Sequence, residues 1–112
     1  MDKGYFRVHL IAADGDWITL YVPLTEQGNY DKHGRAPHLL KTKWAGYDDY
    51  GELTVGADSK MSRIIWSSGA PDFLTDLLLT PLHQGAVVHV YEGDDETTCA
   101  SYTFTVKFID RL

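Results

Sequence analysis

The chain has 112 residues, 44% apolar and 23% charged, with a formal net charge of −6. That length builds one domain around one modest core and excludes a second. The lone cysteine, Cys99, excludes an internal disulfide and a cysteine-rich zinc site. The negative balance weighs against nucleic acid, whose binding depends on neutralising phosphates.

No apolar run reaches the roughly 20 residues of a membrane-spanning helix. The opening Met-Asp-Lys-Gly-Tyr-Phe has neither the apolar region nor the cleavage site of a secretory leader. The expectation is a cytoplasmic protein with no membrane partner.

Residues 5–12 alternate, with Phe6, Val8, Leu10 and Ala12 on one face and Tyr5, Arg7, His9 and Ile11 on the other. Residues 17–22 alternate likewise, Ile18, Leu20 and Val22 opposing Trp17, Thr19 and Tyr21. A three-residue Ala13-Asp14-Gly15 loop pairs Leu10 with Ile18, Val8 with Leu20 and Phe6 with Val22. It keeps one face apolar and places Gly15 where φ is positive. Pro23 ends this pattern. Residues 25–38 read as a long loop, 39–44 as a short strand or one helical turn, and Gly46 and Gly51 bracket a further turn. Leu53–Val55 and Ser62–Ser67 are strand candidates.

Pro71 and Asp72 suit a first helical turn, and Phe73, Leu74, Leu77 and Leu78 recur at helical spacing before Pro81. A helix is therefore predicted over 71–80. In the C-terminal third, Ala86, Val88 and Val90 alternate, as do Ala100, Tyr102, Phe104, Val106 and Phe108. The predicted register pairs Val88 with Tyr102, Ala86 with Phe104 and Val90 with Ala100. It sets His89 opposite Ser101 and Tyr91 opposite Cys99. The predicted fold is α+β and mostly β: about six antiparallel strands in a curved sheet, small sandwich or half-barrel, with one helix near 71–80.

No catalytic set emerges. Cys99 has His89 as a diagonal neighbour in that register, but Glu92, Asp94, Asp95 and Glu96 would raise a thiol pKa rather than lower it. His33 and His38 lie beside Lys32 and Arg35, which repel a metal cation, and the acidic turns at 48–52 and 94–96 lack the spacing of a calcium loop. No phosphate-cradling glycine motif or nucleophile elbow is present. The expectation is no catalytic residue, no metal and no cofactor.

The stretch 30–52 is the odd segment. Its first part is basic, with Lys32, Arg35, Lys41 and Lys43. Its second part is aromatic and acidic, with Trp44, Tyr47, Asp48, Asp49, Tyr50 and Glu52. Aromatics beside charge suit a contact surface. These six residues form the candidate partner-binding set, with Asp48, Asp49 and Glu52 steering a basic protein and Tyr47 and Tyr50 anchoring it. Packing of Trp44 in the core is the rival reading.

The leading functional expectation is a non-enzymatic protein-binding domain, in its most concrete form an inhibitor or toxin-neutralising (immunity-like) protein. The alternative is a small-molecule-binding or enzymatic β-barrel with loop 25–43 as a lid and His9, His89 or Arg7 in its cavity. The third is a self-assembling subunit that pairs through an edge formed by its C-terminal strand.

Overall fold

A strand that alternates apolar and polar side chains must have its apolar face covered, and this chain covers it by rolling its sheet shut. The computed structural model describes residues 4–31, 39–54, 61–92 and 100–112. Its strands are β1 (Gly4–Ile11), β2 (Trp17–Leu24), β3 (Leu39–Trp44), β4 (Tyr47–Thr54), β5 (Ser62–Trp66), β6 (Phe73–Thr75), β7 (Val87–Glu92) and β8 (Ala100–Arg111). Each pairs antiparallel with the next, and β8 returns to β1, so the eight strands form a closed up-and-down barrel. The predicted α+β fold of about six strands and one helix is thus replaced by an all-β barrel.

Closure gives every strand one inward and one outward face. The lumen is filled by side chains: Val8, Leu10, Ile18, Leu20, Ile64, Val88 and Val90 are fully buried, and Leu40 and Phe104 nearly so. Gly51 faces inward and makes room for its neighbours, since a Cβ there would crowd the side chains of Ile64 and Leu40. Arg7, Lys41 and Glu52 lie outward. No helix among the described residues is long and apolar enough to cross a membrane.

The first hairpin has the expected register, Leu10 opposite Ile18, Val8 opposite Leu20 and Phe6 opposite Val22. The Ala12 amide donates to the Asp16 carbonyl at 2.8 Å, leaving the three-residue loop, and Gly15 has φ of 94°.

The last hairpin keeps the expected face but slips by two residues. Val88 lies opposite Phe104, Val90 opposite Tyr102, His89 opposite Thr103 and Tyr91 opposite Ser101. A two-residue slip preserves the side-chain period, which is why alternation alone did not exclude it. The Cys99 and His89 neighbourhood inferred from the other register therefore loses its basis. Cys99 itself lies outside the described residues, as do His33, His38 and the acids at 94–96.

The predicted helix over 71–80 is a three-residue strand followed by a turn. Phe73 and Thr75 point inward, and the Thr75 hydroxyl donates to the His89 carbonyl while accepting from the Leu77 amide. Asp76 then binds β7 twice, accepting from the His89 amide at 2.7 Å and meeting its Nδ1 at 2.8 Å. These bonds fix the chain direction before a helix can start. Leu77 and Leu82 turn under the barrel and close that end with Leu24, all three at 1% exposure or less. The helical spacing of the leucines reflects a strand passing into a plug.

The plug is clasped by the turn after β2. Leu82 donates its amide to the Gly28 carbonyl at 2.8 Å. Gly28 has φ of 83°, and a Cβ there would collide with the Leu82 carbonyl oxygen. Gly28→Ala therefore carries both left-handed strain and a clash. It should destabilise the fold by about 1–3 kcal/mol, read as a lower midpoint in urea denaturation.

Where β8 meets β1 the register shifts between His9 and Leu10, with Lys107 as the extra residue of a bulge. The bulge turns Phe108 out of the apolar row in which alternation placed it. Phe108 stacks on His9 at 4.9 Å with 16° between planes, and Trp17 lies 5.7 Å away on the ring's other neighbour strand. His9 Nδ1 is hydrogen-bonded with the Thr19 hydroxyl at 2.9 Å. Burial, then the charges of Lys107 and Arg7, lower the His9 pKa. The unfolded chain thus takes up this proton more readily than the fold does. Stability should be full above the ordinary imidazole range and fall as pH drops toward the lowered folded value. Urea midpoints measured across the mildly acidic range should show a weaker decline in His9→Gln than in the unaltered protein.

Candidate functional site

The β3–β4 hairpin carries the whole candidate set. Its Ala45-Gly46 turn has positive φ at both residues, 50° and 85°, which is the two-residue I′ geometry that matches strand twist. Alanine tolerates this at a cost of about 1–2 kcal/mol, and the Ala45 amide is held by Asp16 Oδ1 at 3.1 Å. The short strand expected over 39–44 is β3, but the stretch expected as a turn between Gly46 and Gly51 is strand β4, which starts at Tyr47 and continues to Thr54. The hairpin's alternation is masked because Thr42, Asp49 and Gly51 occupy inward positions where an apolar residue would have marked the face. Because β3 occupies 39–44, the supposed lid over 25–43 is not one loop.

Strand parity divides the candidate residues between two surfaces. Trp44, Tyr47 and Asp49 lie on the inward side, at the barrel's open end. Asp48, Tyr50 and Glu52 lie on the outer wall. There Tyr50 takes Lys41 over its ring at 5.7 Å, Asp48 lies opposite Lys43, and Glu52 lies between Leu39 and Ile65. Leu39, Tyr50 and Ile65 are all exposed.

At the open end, Trp44 is half-buried and packs edge-on against Phe73 at 5.5 Å and Tyr102 at 4.8 Å. Trp66 meets Phe73 at 5.3 Å. The rings of Trp44, Trp66 and Phe73 form the floor of a pocket of about 180 Å³, lined also by Thr42, Tyr47, Asp49 and Ala70. Tyr47 stands at its rim with 79% of its surface exposed. Trp66, Phe73 and Tyr102 were not singled out from sequence; each sits at the top of a strand, a position that only the barrel's closure defines.

Asp49 ties this mouth together. It accepts from the Tyr50 amide at 2.8 Å and the Ser67 hydroxyl at 3.2 Å through Oδ1, and from the Ser68 hydroxyl at 2.6 Å through Oδ2. Burial pushes its pKa up, but the Ser68 hydroxyl and the other donors outweigh burial and hold it below the ordinary carboxylate value.

Other acids surround the floor. The β1–β2 turn brings Asp14 and Asp16, the hairpin brings Asp48, the approach to β6 brings Asp72, and the end of β7 brings Glu92. Three of them act on Tyr102, whose phenol pKa is raised first by its hydrogen bond to Glu92, then by burial, then by the charges of Glu92, Asp14 and Asp16. Asp72 pairs with Arg63 at 3.6 Å. Asp14 accepts from the Asp16 amide, and Glu92 from the Tyr102 hydroxyl. Among the described residues, Asp14, Asp16, Asp49 and Glu92 are thus held by amides and hydroxyls rather than by cations.

The side chains proposed for a catalytic cavity lie elsewhere. Arg7 pairs with Asp110 at 2.8 Å, His9 stacks on Phe108 and His89 pairs with Asp76, all on the outer wall. No group of three His, Cys, Asp or Glu side chains gathers to hold a metal among the described residues. The C-terminal strand β8 pairs with β7 through Ala100–Thr105 and with β1 through Thr105–Arg111, so it links two neighbours and is not the edge strand of an open sheet.

The Asp49 bonds yield a prediction with a definite sign. A carboxylate with a depressed folded pKa adds stability above its unfolded value and loses it as pH falls through the folded value. Acid unfolding curves should therefore flatten in Asp49→Asn. Asp49→Ala should also speed amide hydrogen exchange at Ser67 and Gly69, whose turn it anchors. No protein-family model matches this chain, and no curated protein and no solved structure matches it.

Proposed function

We propose that this barrel is a non-enzymatic protein-binding domain of the inhibitor or toxin-neutralising (immunity-like) kind, and that its open end takes the basic surface of a partner. The observation that carries the reading is the ring of carboxylates around an aromatic floor. Asp14, Asp16, Asp49 and Glu92 surround Trp44, Trp66, Phe73 and Tyr102, and Asp48 adds its charge from the outer wall just behind the rim. Acids at a rim attract and orient a basic protein during encounter, and aromatic rings supply contact area at low entropic cost. Tyr47, exposed at the rim, is the natural anchor.

The filled lumen favours this reading over a ligand-binding barrel. Phe104, Leu10, Ile18 and Leu20 occupy the space a small molecule would need. Tyr50 and Glu52, on the outer wall, flank the proposed contact instead of forming its centre.

The test is capture of a partner from cells that make the protein, followed by kinetics on the purified pair. The partner should be basic. Its association rate should drop about tenfold in the Asp14→Asn, Asp16→Asn, Asp48→Asn triple variant, and also on raising salt. Tyr47→Ala should act mainly on dissociation. An acidic partner, or an association rate indifferent to both salt and the triple variant, would refute the reading.

A further inference from the structure

We propose that the mouth pocket receives one alkylammonium group, the end of a lysine side chain on the partner. The proposal rests on the protein-binding reading above and adds the chemical identity of what enters the pocket.

The pocket joins two features that only a cation satisfies together. Its walls are the rings of Trp44, Trp66 and Phe73, and its one charged wall is the Asp49 carboxylate. Apolar side chains would fit the rings but would strip water from an ionised carboxylate without replacing it. An anion would be repelled. A cation is attracted by the carboxylate and by the negative faces of aromatic rings. The volume of about 180 Å³ is too small for most metabolites and suits one long side chain.

The acceptor count separates lysine from arginine. A carboxylate offers about four lone-pair positions. Two on Oδ1 are taken by the Tyr50 amide and the Ser67 hydroxyl, Oδ2 accepts from the Ser68 hydroxyl, and the Ser68 amide is also turned toward the carboxylate, so neither oxygen is open to a fork. A guanidinium fork needs both oxygens at once. The Thr42 hydroxyl has already given its proton to the Trp17 carbonyl at 2.7 Å, so it adds at most one further acceptor. An ammonium is a compact charge that needs no fork, and its methylene stem covers apolar surface while the charged end stays near water. The site is therefore built for a point charge on an alkyl chain.

The test uses three small probes on the whole protein: n-butylammonium, n-butylguanidinium and n-butanol. Binding is read from the indole NH resonances of Trp44 and Trp66. Butylammonium should shift both in a saturable way and bind about fivefold more tightly than butanol, with butylguanidinium weaker than butylammonium. Asp49→Asn should erase the preference over butanol. Butanol binding as tightly as butylammonium, guanidinium binding more tightly, or an unchanged preference in Asp49→Asn would each overturn the proposal. The three-probe comparison on the unaltered protein decides the matter even where the variant folds poorly. Butylammonium should also compete with the captured partner. Probe binding without competition would overturn the partner's lysine as the occupant. Probe binding in a protein whose partner proves acidic would refute the protein-binding reading while leaving the ammonium pocket in place.

Discussion

The pairing of β8 with β1 is the constraint on which the rest of this molecule depends. An open eight-stranded sheet of this sequence would leave its first and last strands with unpaired backbone groups and one apolar face without cover. Closing the seam satisfies both needs at once. It also makes inside and outside absolute: every side chain on a strand is either in the lumen or on the wall. The seam is not perfectly regular. The bulge at Lys107 lets β8 run with Val106 inside and Phe108 outside, and the His9 and Phe108 stack covers that irregularity from the solvent side.

Closure also creates two unlike ends. One is sealed by Leu77 and Leu82, clasped to the Gly28 turn. The other has no comparable plug among the described residues. There the aromatic tops of β3, β5, β6 and β8 stand in for aliphatic packing, and acidic turns surround them. A rigid, self-filled barrel with one shaped and charged end is a scaffold for recognition: the core supplies stability, and the loops and strand tops are free to carry chemistry. Asp49 belongs to both roles, since the hydroxyls that hold the β5–β6 turn also hold its charge at the pocket wall.

Legibility in the sequence followed the contrast between faces. The register of the β1–β2 hairpin is legible because Phe6, Val8, Leu10, Ile18, Leu20 and Val22 leave one face purely apolar and Gly15 marks the turn, although β2 runs on through Pro23, expected to end it, to Leu24. The β3–β4 hairpin was hidden because Thr42, Asp49 and Gly51 face inward. Phe73, Leu77 and Leu78 mimicked a helix because a short strand leading into a plug also turns apolar side chains inward at that spacing. The candidate residues of the hairpin adjoin one another in sequence, yet neighbouring positions on a strand point to opposite faces. Tyr47 and Asp49 went to the mouth, and Tyr50 and Glu52 to the wall.

The sequence by itself determined the β-rich character, the first hairpin with its register, the apolar faces of the last hairpin and the acidic balance. These are local or summed properties, written in side-chain period and composition. Only the tertiary structure decided that the sheet closes, that the last register lies two residues away, that Phe108 turns outward, and that Trp44, Trp66, Phe73 and Asp49 meet in one pocket. Each of those depends on pairing between distant strands, and a side-chain period of two is indifferent to which distant partner, and which even-numbered shift, satisfies it.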